Sequence, residues 1–199
     1  MSPTNQETTS RRPGKRAAGL SLRAAAAEEA KLGYQCRLRS EAAESQGRKH
    51  DAQTEKLKEI EHDEKAKDYH RQAADEIFRA HNSKHPAALG GSGSSKTPRL
   101  NRCDLHGLYV EEAIGFVRKH IEHCIEERRE RTIVITGAGK HSRGGRPRLK
   151  PAVLKFLREP WQVSEHPGAS GTEGAKIVAI HAHAHKTNLG CISVSLSFC

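Results

Sequence analysis

Apolar positions along the chain follow two different rhythms. Across 20–47 and again across 51–81, alanines and charged residues dominate. Leu57, Ile60, Ala66, Ala73, Ala74, Ile77 and Phe78 recur at roughly helical intervals, with charges filling the gaps. The two runs predict solvated helices, the first interrupted at Gly33, joined near 47–50 into a hairpin that buries little. Beyond residue 100 the pattern tightens. Positions 100–105 read as a short strand, and 110–127 as an amphipathic helix with Ala113, Ile114, Val117, Ile121, Cys124 and Ile125 on one side. Thr132, Ile133, Val134 and Ile135 form a β-branched run, as in a buried strand, that breaks into Gly137, Gly139, Gly144 and Gly145. Leu149, Val153, Leu154 and Leu157 then resume helical spacing, with Pro151 in the first turn where its missing N–H is harmless. The order β-α-β-α argues for parallel strands joined by right-handed crossovers.

The last forty residues are less regular. Segments 161–164, 176–180 and 191–196 are candidate strands, of which one suffices to complete the sheet, and 167–174 reads as a loop. At the other end, 1–18 is polar and basic without a hydrophobic period and is expected to be a disordered tail. Asn82 opens a stretch of Pro, Gly and Ser that ends near Pro98. The expected division is therefore a basic tail at 1–18, a helical extension at 19–82, a flexible linker at 83–99 and an α/β domain at 100–199.

Composition narrows the function. The apolar share, 35%, lies below the roughly 45–50% of ordinary soluble domains, consistent with a long solvated extension. A net charge of +10 calls for acidic partners, and nucleic acid or ribosomes come before membranes, since no basic stretch is matched by a bulky apolar helix face. No apolar run approaches the ~18 residues of a membrane span, and the N-terminal residues lack the apolar centre of a secretory signal. Cysteines 36, 103, 124, 191 and 199 are scattered without a CxxC pair, as in reduced intracellular thiols, with 103 and 124 expected in the core. The expected location is cytoplasmic, with the nucleus as a further one.

Two stretches carry the candidate chemistry. Asp104-Leu105-His106-Gly107 ends the first strand of the α/β domain. Alternation sends Asp104 and His106 to one side and Leu105 to the other, so acid and imidazole project together. In a parallel α/β unit that edge also receives the loop after 132–135, so the two segments should meet. The loop and the helix start behind it gather Lys140, Arg143, Arg146, Arg148 and Lys150. Helix N-termini favour anions, and a phosphate backbone is the simplest ligand for such a cluster.

DLHG, a helix beginning VEEA, TGAGKHSRGG and LKPAVLKFL together resemble the Smr (small MutS-related) domain in its eukaryotic form, over roughly 100–165. His62 and HRQAADEIFRAHN, residues 70–82, resemble the helical extension that often precedes such domains. The resemblance implies a compact βαβαββ two-layer α/β domain, similar to the C-terminal domain of translation initiation factor three, preceded by a helical hairpin. It also implies endonuclease activity on RNA, including RNA on ribosomes, or nicking of DNA. By motif, Asp104 and His106 become the functional pair and Thr136, Gly137 and Gly139 the phosphate-approaching loop. His141 and Ser142 belong to the eukaryotic form of that loop, and Arg148 or Lys150 matches the basic position at the next helix start. Lys140, Arg143 and Arg146 are expected to bind nucleic acid beside them. One departure is the segment 166–188, which admits a surface loop, an inserted strand at 176–180 or an aberrant stretch.

The expected mechanism follows from residue types. Histidine titrates near neutrality and can take a proton from a ribose 2′-OH, a carboxylate can fix its tautomer, and such acid–base help is worth about 10² to 10⁴ in rate. No cofactor is then expected. The alternative is a divalent metal held by Asp104 and His106 that activates water, for which two ligands are few. Plainer readings compete: a polar strand end that caps the next turn, a permissive glycine turn, a solvated basic helix face. The class-level rival is a module that grips RNA, DNA or a ribosome without chemistry. His181, His183 and His185 alternate and would form an imidazole comb on one strand face, though no Cys or carboxylate accompanies them. His62 and His70 are expected to face solvent.

Overall fold

A computed structural model describes residues 15–88, 101–139, 145–159 and 177–198. It divides into two compact units, Met1–Glu76 and Ile77–Cys199. None of its helices is long and apolar enough to cross a membrane.

The first unit is built on α1 (Lys15–Ser45) and all but the last turn of α2 (Lys49–His81). The helix starts inside the expected tail, at Lys15. Gly47, at φ +71°, ends α1, and the Arg48 N–H closes the turn on the Ala43 carbonyl. The buried contacts are small: Ala26, Cys36, Ala43, Ala52, Ala66 and Ala73. Gly33 does not interrupt α1; a Cβ there would stand 3.5 Å from the His62 Cβ and 2.9 Å from Asp63 Oδ1, the movable end of a side chain. Charged side chains close the seam, with Arg37 on Glu59 at 2.6 Å and His62 on Glu29 at 2.7 Å. His70 bonds Arg23 at 2.9 Å, so neither of these histidines is left to solvent.

The second unit is the expected βαβαββ domain. Its elements are β1 (Arg102–Asp104), α3 (Val110–Glu126), β2 (Arg131–Ile135), α4 (Leu149–Arg158), β3 (Ile177–Ala184) and β4 (Cys191–Phe198). The sheet order is β1-β2-β4-β3, with β1 and β2 parallel and the other two pairs antiparallel. Thr132, Val194 and Ala182 share one cross-sheet row and are buried. His120 of α3 bonds Thr132 and Arg158 of α4 bonds the Ala182 carbonyl, so both helices cover that face. Leu105, Val117, Ile121, Val134, Val153, Leu157 and Ile192 fill the layer between.

Of the three readings of 166–188 the inserted strand is the one found: β3 extends from Ile177 to Ala184, further than the expected 176–180, and pairs with β4. The possible strand at 161–164 lies outside the described residues. Asn82 to Ala88, expected to open the linker, is instead ordered structure of the second unit and includes a 3₁₀ turn at Pro86–Ala88.

Candidate active site at the sheet edge

Each residue of the DLHG stretch has a local reason to be there. Leu105 is fully buried and its N–H joins the Ile135 carbonyl at 2.8 Å, extending the β1–β2 ladder by one bond. Gly107 adopts φ +85°, a left-handed conformation costly for a residue with a Cβ, and turns the chain into α3. That turn folds His106 back on Asp104. The Asp104 carboxylate oxygen Oδ1 accepts the His106 backbone N–H at 3.1 Å and lies 2.6 Å from ring Nδ1. An ionised carboxylate only accepts, so this contact places a ring proton on Nδ1, and in the neutral tautomer that fits it Nε2 is the acceptor. The His106 side chain is 40% exposed and that of Asp104 18%, so the pair is supported behind and open in front.

Three further residues hold this pair. The Asn82 amide occupies the free edge of β1, its Oδ1 accepting the Asp104 N–H at 2.8 Å and its Nδ2 donating to the Asp104 carbonyl at 2.7 Å. One side chain thus does for Asp104 what a neighbouring strand would do. His81, in the last turn of α2, stacks on His106 with ring centroids 3.8 Å apart and planes 29° apart. Phe78, one turn earlier, stacks on Phe116 of α3 at 4.1 Å and anchors the turn. Sequence reading missed His81 and Asn82; the available signal was Ile77-Phe78 followed by His81-Asn82, an i,i+4 pairing that ends an otherwise sparse helix.

The glycine loop arrives where expected. A Cβ on Gly137 would lie 3.5 Å from the His106 Cβ. Gly137 and Gly139 both have positive φ, at +75° and +76°. At Gly139 a Cβ would come within 2.6 Å of Pro147 N, so only glycine lets the two loop backbones cross. The loop is strapped from beneath by Gly190, whose carbonyl accepts the N–H groups of Thr136 and Gly137 and the Thr136 hydroxyl. Thr136 is 5% exposed and turned inward, so its observed bonds are structural. Arg146 and Arg148 are exposed at the start of α4. Lys150 instead donates to the Leu189 carbonyl at 2.8 Å, tying α4 to the segment before β4. Among the described residues, Lys150 thus has a carbonyl partner, while Arg148 stands exposed at the N-cap of α4. Lys140, His141, Ser142 and Arg143 lie outside the described residues.

A second polar cluster lies in the core. His85 Nε2 is 2.8 Å from His120 Nδ1, and His120 Nε2 is 2.7 Å from Thr132 Oγ1. Burial, reinforced by neighbouring imidazoles, lowers His85 to about 4 and His120 to about 3, so both rings are neutral near pH 7. Burial also pushes the Cys124 thiol up to about 12 and the Cys103 thiol well above its usual value. Neither is a nucleophile, as expected of core cysteines.

Two groups among the described residues bring ligand atoms within 4.8 Å of one another: His81, Asp104 and His106, and His85, Cys103 and His120. In the first group the His81 and His106 rings are stacked with planes 29° apart. In the core cluster the facing nitrogens of His85 and His120 are spent on each other.

The second unit is thus an α/β domain with an acid–histidine pair at a parallel-strand end, a crossing glycine loop and cations at the following helix start. Residues 103–181 match the Smr domain family model. NEDD4-binding protein 2 of Homo sapiens is 39% identical over 101 residues, 48% of this chain and 5% of that protein. An Smr domain-containing protein of Schizosaccharomyces pombe is 33% identical over 97 residues, 48% of this chain and 40% of the relative. Endonuclease NBR9 of Saccharomyces cerevisiae is 36% identical over 91 residues, 46% of this chain and 32% of the relative. The chain thus spans less than half the length of each of these relatives. No solved structure matches the chain.

Proposed function

We propose that the domain is an endoribonuclease that uses His106 as general base and needs no metal for the step. The observation that carries the reading is the Asp104–His106 pair, with Nδ1 committed to the carboxylate and the His106 side chain 40% exposed. Nε2 takes the proton of a ribose 2′-OH, the 2′ oxygen attacks the adjacent phosphorus, and the P–O5′ bond breaks. The 5′ oxygen leaves with a proton from water, giving a 2′,3′-cyclic phosphate and a 5′-hydroxyl. Arg148 stabilises the charge that grows on the phosphoryl oxygens, with Lys140, His141, Ser142, Arg143 and Arg146 gripping the flanking backbone. The relative named as an endonuclease supports the nuclease class. The 2′-OH requirement and the choice of RNA rest on the tautomer alone. Ribosome-bound RNA in the cytoplasm is the proposed setting, in keeping with the net charge of +10.

Incubating the full chain with end-labelled single-stranded RNA, with its all-deoxy counterpart and with excess chelator tests this reading. Cleavage of RNA alone, unaffected by chelator, is expected. Cleavage of both strands that stops with chelator assigns the site to metal-assisted nicking instead.

A further inference from the structure

Sheet residues of the parity opposite to Thr132, Val194 and Ala182 form cross-sheet rows of their own. Arg102, Ile133, Ser193 and His183 stand side by side in one row across all four strands. Arg131, Ser195 and His181 form the next row. Arg102, Arg131, Ile133, His181 and His183 are exposed, and Ser193 and Ser195 are partly so. This is the imidazole comb of the sequence, now placed opposite arginines rather than beside metal ligands.

The chemistry of the face is specific. Two guanidinium groups lie on it with no carboxylate in either row; Glu130, next to Arg131, belongs to the alternate parity. Serine hydroxyls between the strands offer donors and acceptors. Ile133, 37% exposed, gives a flat apolar centre. Neighbouring strands are roughly 4.8 Å apart, so the four-residue row spans about 14 Å, enough for a few nucleotides laid across the sheet. Imidazole and guanidinium planes are surfaces on which unpaired bases stack, while arginine also neutralises phosphate. Asp104 lies two residues after Arg102 on the same side of β1, so the rows lead to the Asp104–His106 edge.

We propose that this sheet face, through Arg102, Arg131, His181 and His183, is a platform for single-stranded nucleic acid that feeds the strand to the Asp104–His106 edge. It rests on the nuclease reading for the direction of feeding, not for binding itself.

The test measures binding of a fluorescent single-stranded RNA to the full chain by anisotropy across a salt series, in a His106→Ala background that removes cleavage. Arg102→Gln with Arg131→Gln should weaken binding at least tenfold and reduce the slope of log affinity against log salt by about 1.4, the effect of leaving two phosphates without a cation. His181→Ala with His183→Ala should weaken binding about fivefold or more, with a smaller change of slope. All four positions are at the surface, so melting temperatures should match the parent. Unchanged affinity and slope in both double variants overturn the proposal, as does a dimer that the same substitutions dissociate without altering RNA affinity. If the parent binds RNA through this face while the chain carrying His106 cuts nothing, the platform stands and the nuclease reading falls.

Discussion

The side-chain amide of Asn82 bonds both the N–H and the carbonyl of Asp104, at 2.8 and 2.7 Å, and so holds the acid of the Asp104–His106 pair by its backbone. Asn82→Ala leaves both groups without these partners at a nearly closed position. A lost buried hydrogen-bond partner costs about 1–3 kcal/mol, so the substitution should lower stability by about 2 kcal/mol in urea denaturation. Asn82→Asp keeps the acceptor but turns a carboxylate oxygen toward the Asp104 carbonyl, and should do no better. Full stability in both variants would remove Asn82 from the account.

His81 acts on His106 through ring stacking at 3.8 Å, which makes it a positioning residue. His81→Ala should reduce cleavage at least tenfold with RNA affinity nearly unchanged, since orientation rather than contact is lost. His81→Phe preserves a stacking ring and should recover most of the rate. If Phe is as damaging as Ala, the imidazole has a proton-transfer role and the positioning assignment fails.

Gly139→Ala should destabilise the domain by more than about 1 kcal/mol, from its positive φ alone, and abolish cleavage by displacing the loop. The contact at 2.6 Å is to the backbone of Pro147, which cannot swing aside. Gly47, also at positive φ but with nothing within 4 Å of where a Cβ would stand, is the control: Gly47→Ala should cost stability without touching activity. A wild-type rate in the Gly139 variant would contradict the crossing-loop geometry.

The core histidines predict an acid limit to stability. Their folded pKa values, about 4 for His85 and about 3 for His120, lie below the ordinary 6.5, so the unfolded chain binds protons first as pH falls. Their contribution is complete above about pH 6.5 and is lost progressively toward pH 4 and 3, at up to about 1.4 kcal/mol per pH unit for each ring. His120→Gln should flatten the dependence of unfolding free energy on pH between 6 and 4. An equally steep profile would show that other groups set it.

Much of this architecture was legible because the periodicities were strong: the i,i+3/i+4 positions of α3, the β-branched run of β2, and glycines whose positive φ is a backbone necessity. DLHG placed Asp104 and His106 together because strand alternation and Gly107 leave little choice. Three features were hidden for physical reasons. Asn82 and His85 sit among Pro, Ser and small residues, and composition cannot tell a solvated linker from a segment whose polar side chains are spent on a strand edge and a core histidine. β3 was hidden in its extent: 176–180 read as a candidate strand, but Ala alternating with His is too weakly apolar to carry that strand on to Ala184. Thr136 looked like a ligand-contacting loop residue, and its partner Gly190 lies 54 residues away, beyond any local pattern.

Cleavage chemistry tests the central claim most directly. A fluorescent RNA carrying a single 2′-deoxy nucleotide at the mapped cut site is compared with its all-ribose form under single turnover, with product ends identified and Asp104→Asn and His106→Ala run in parallel. The account predicts a 2′,3′-cyclic phosphate, no cleavage at the deoxy position, loss of activity in His106→Ala and a drop of about 10² to 10⁴ in Asp104→Asn, where the ring proton loses its carboxylate. Equal cleavage at the deoxy position, or a wild-type rate in His106→Ala, would contradict it.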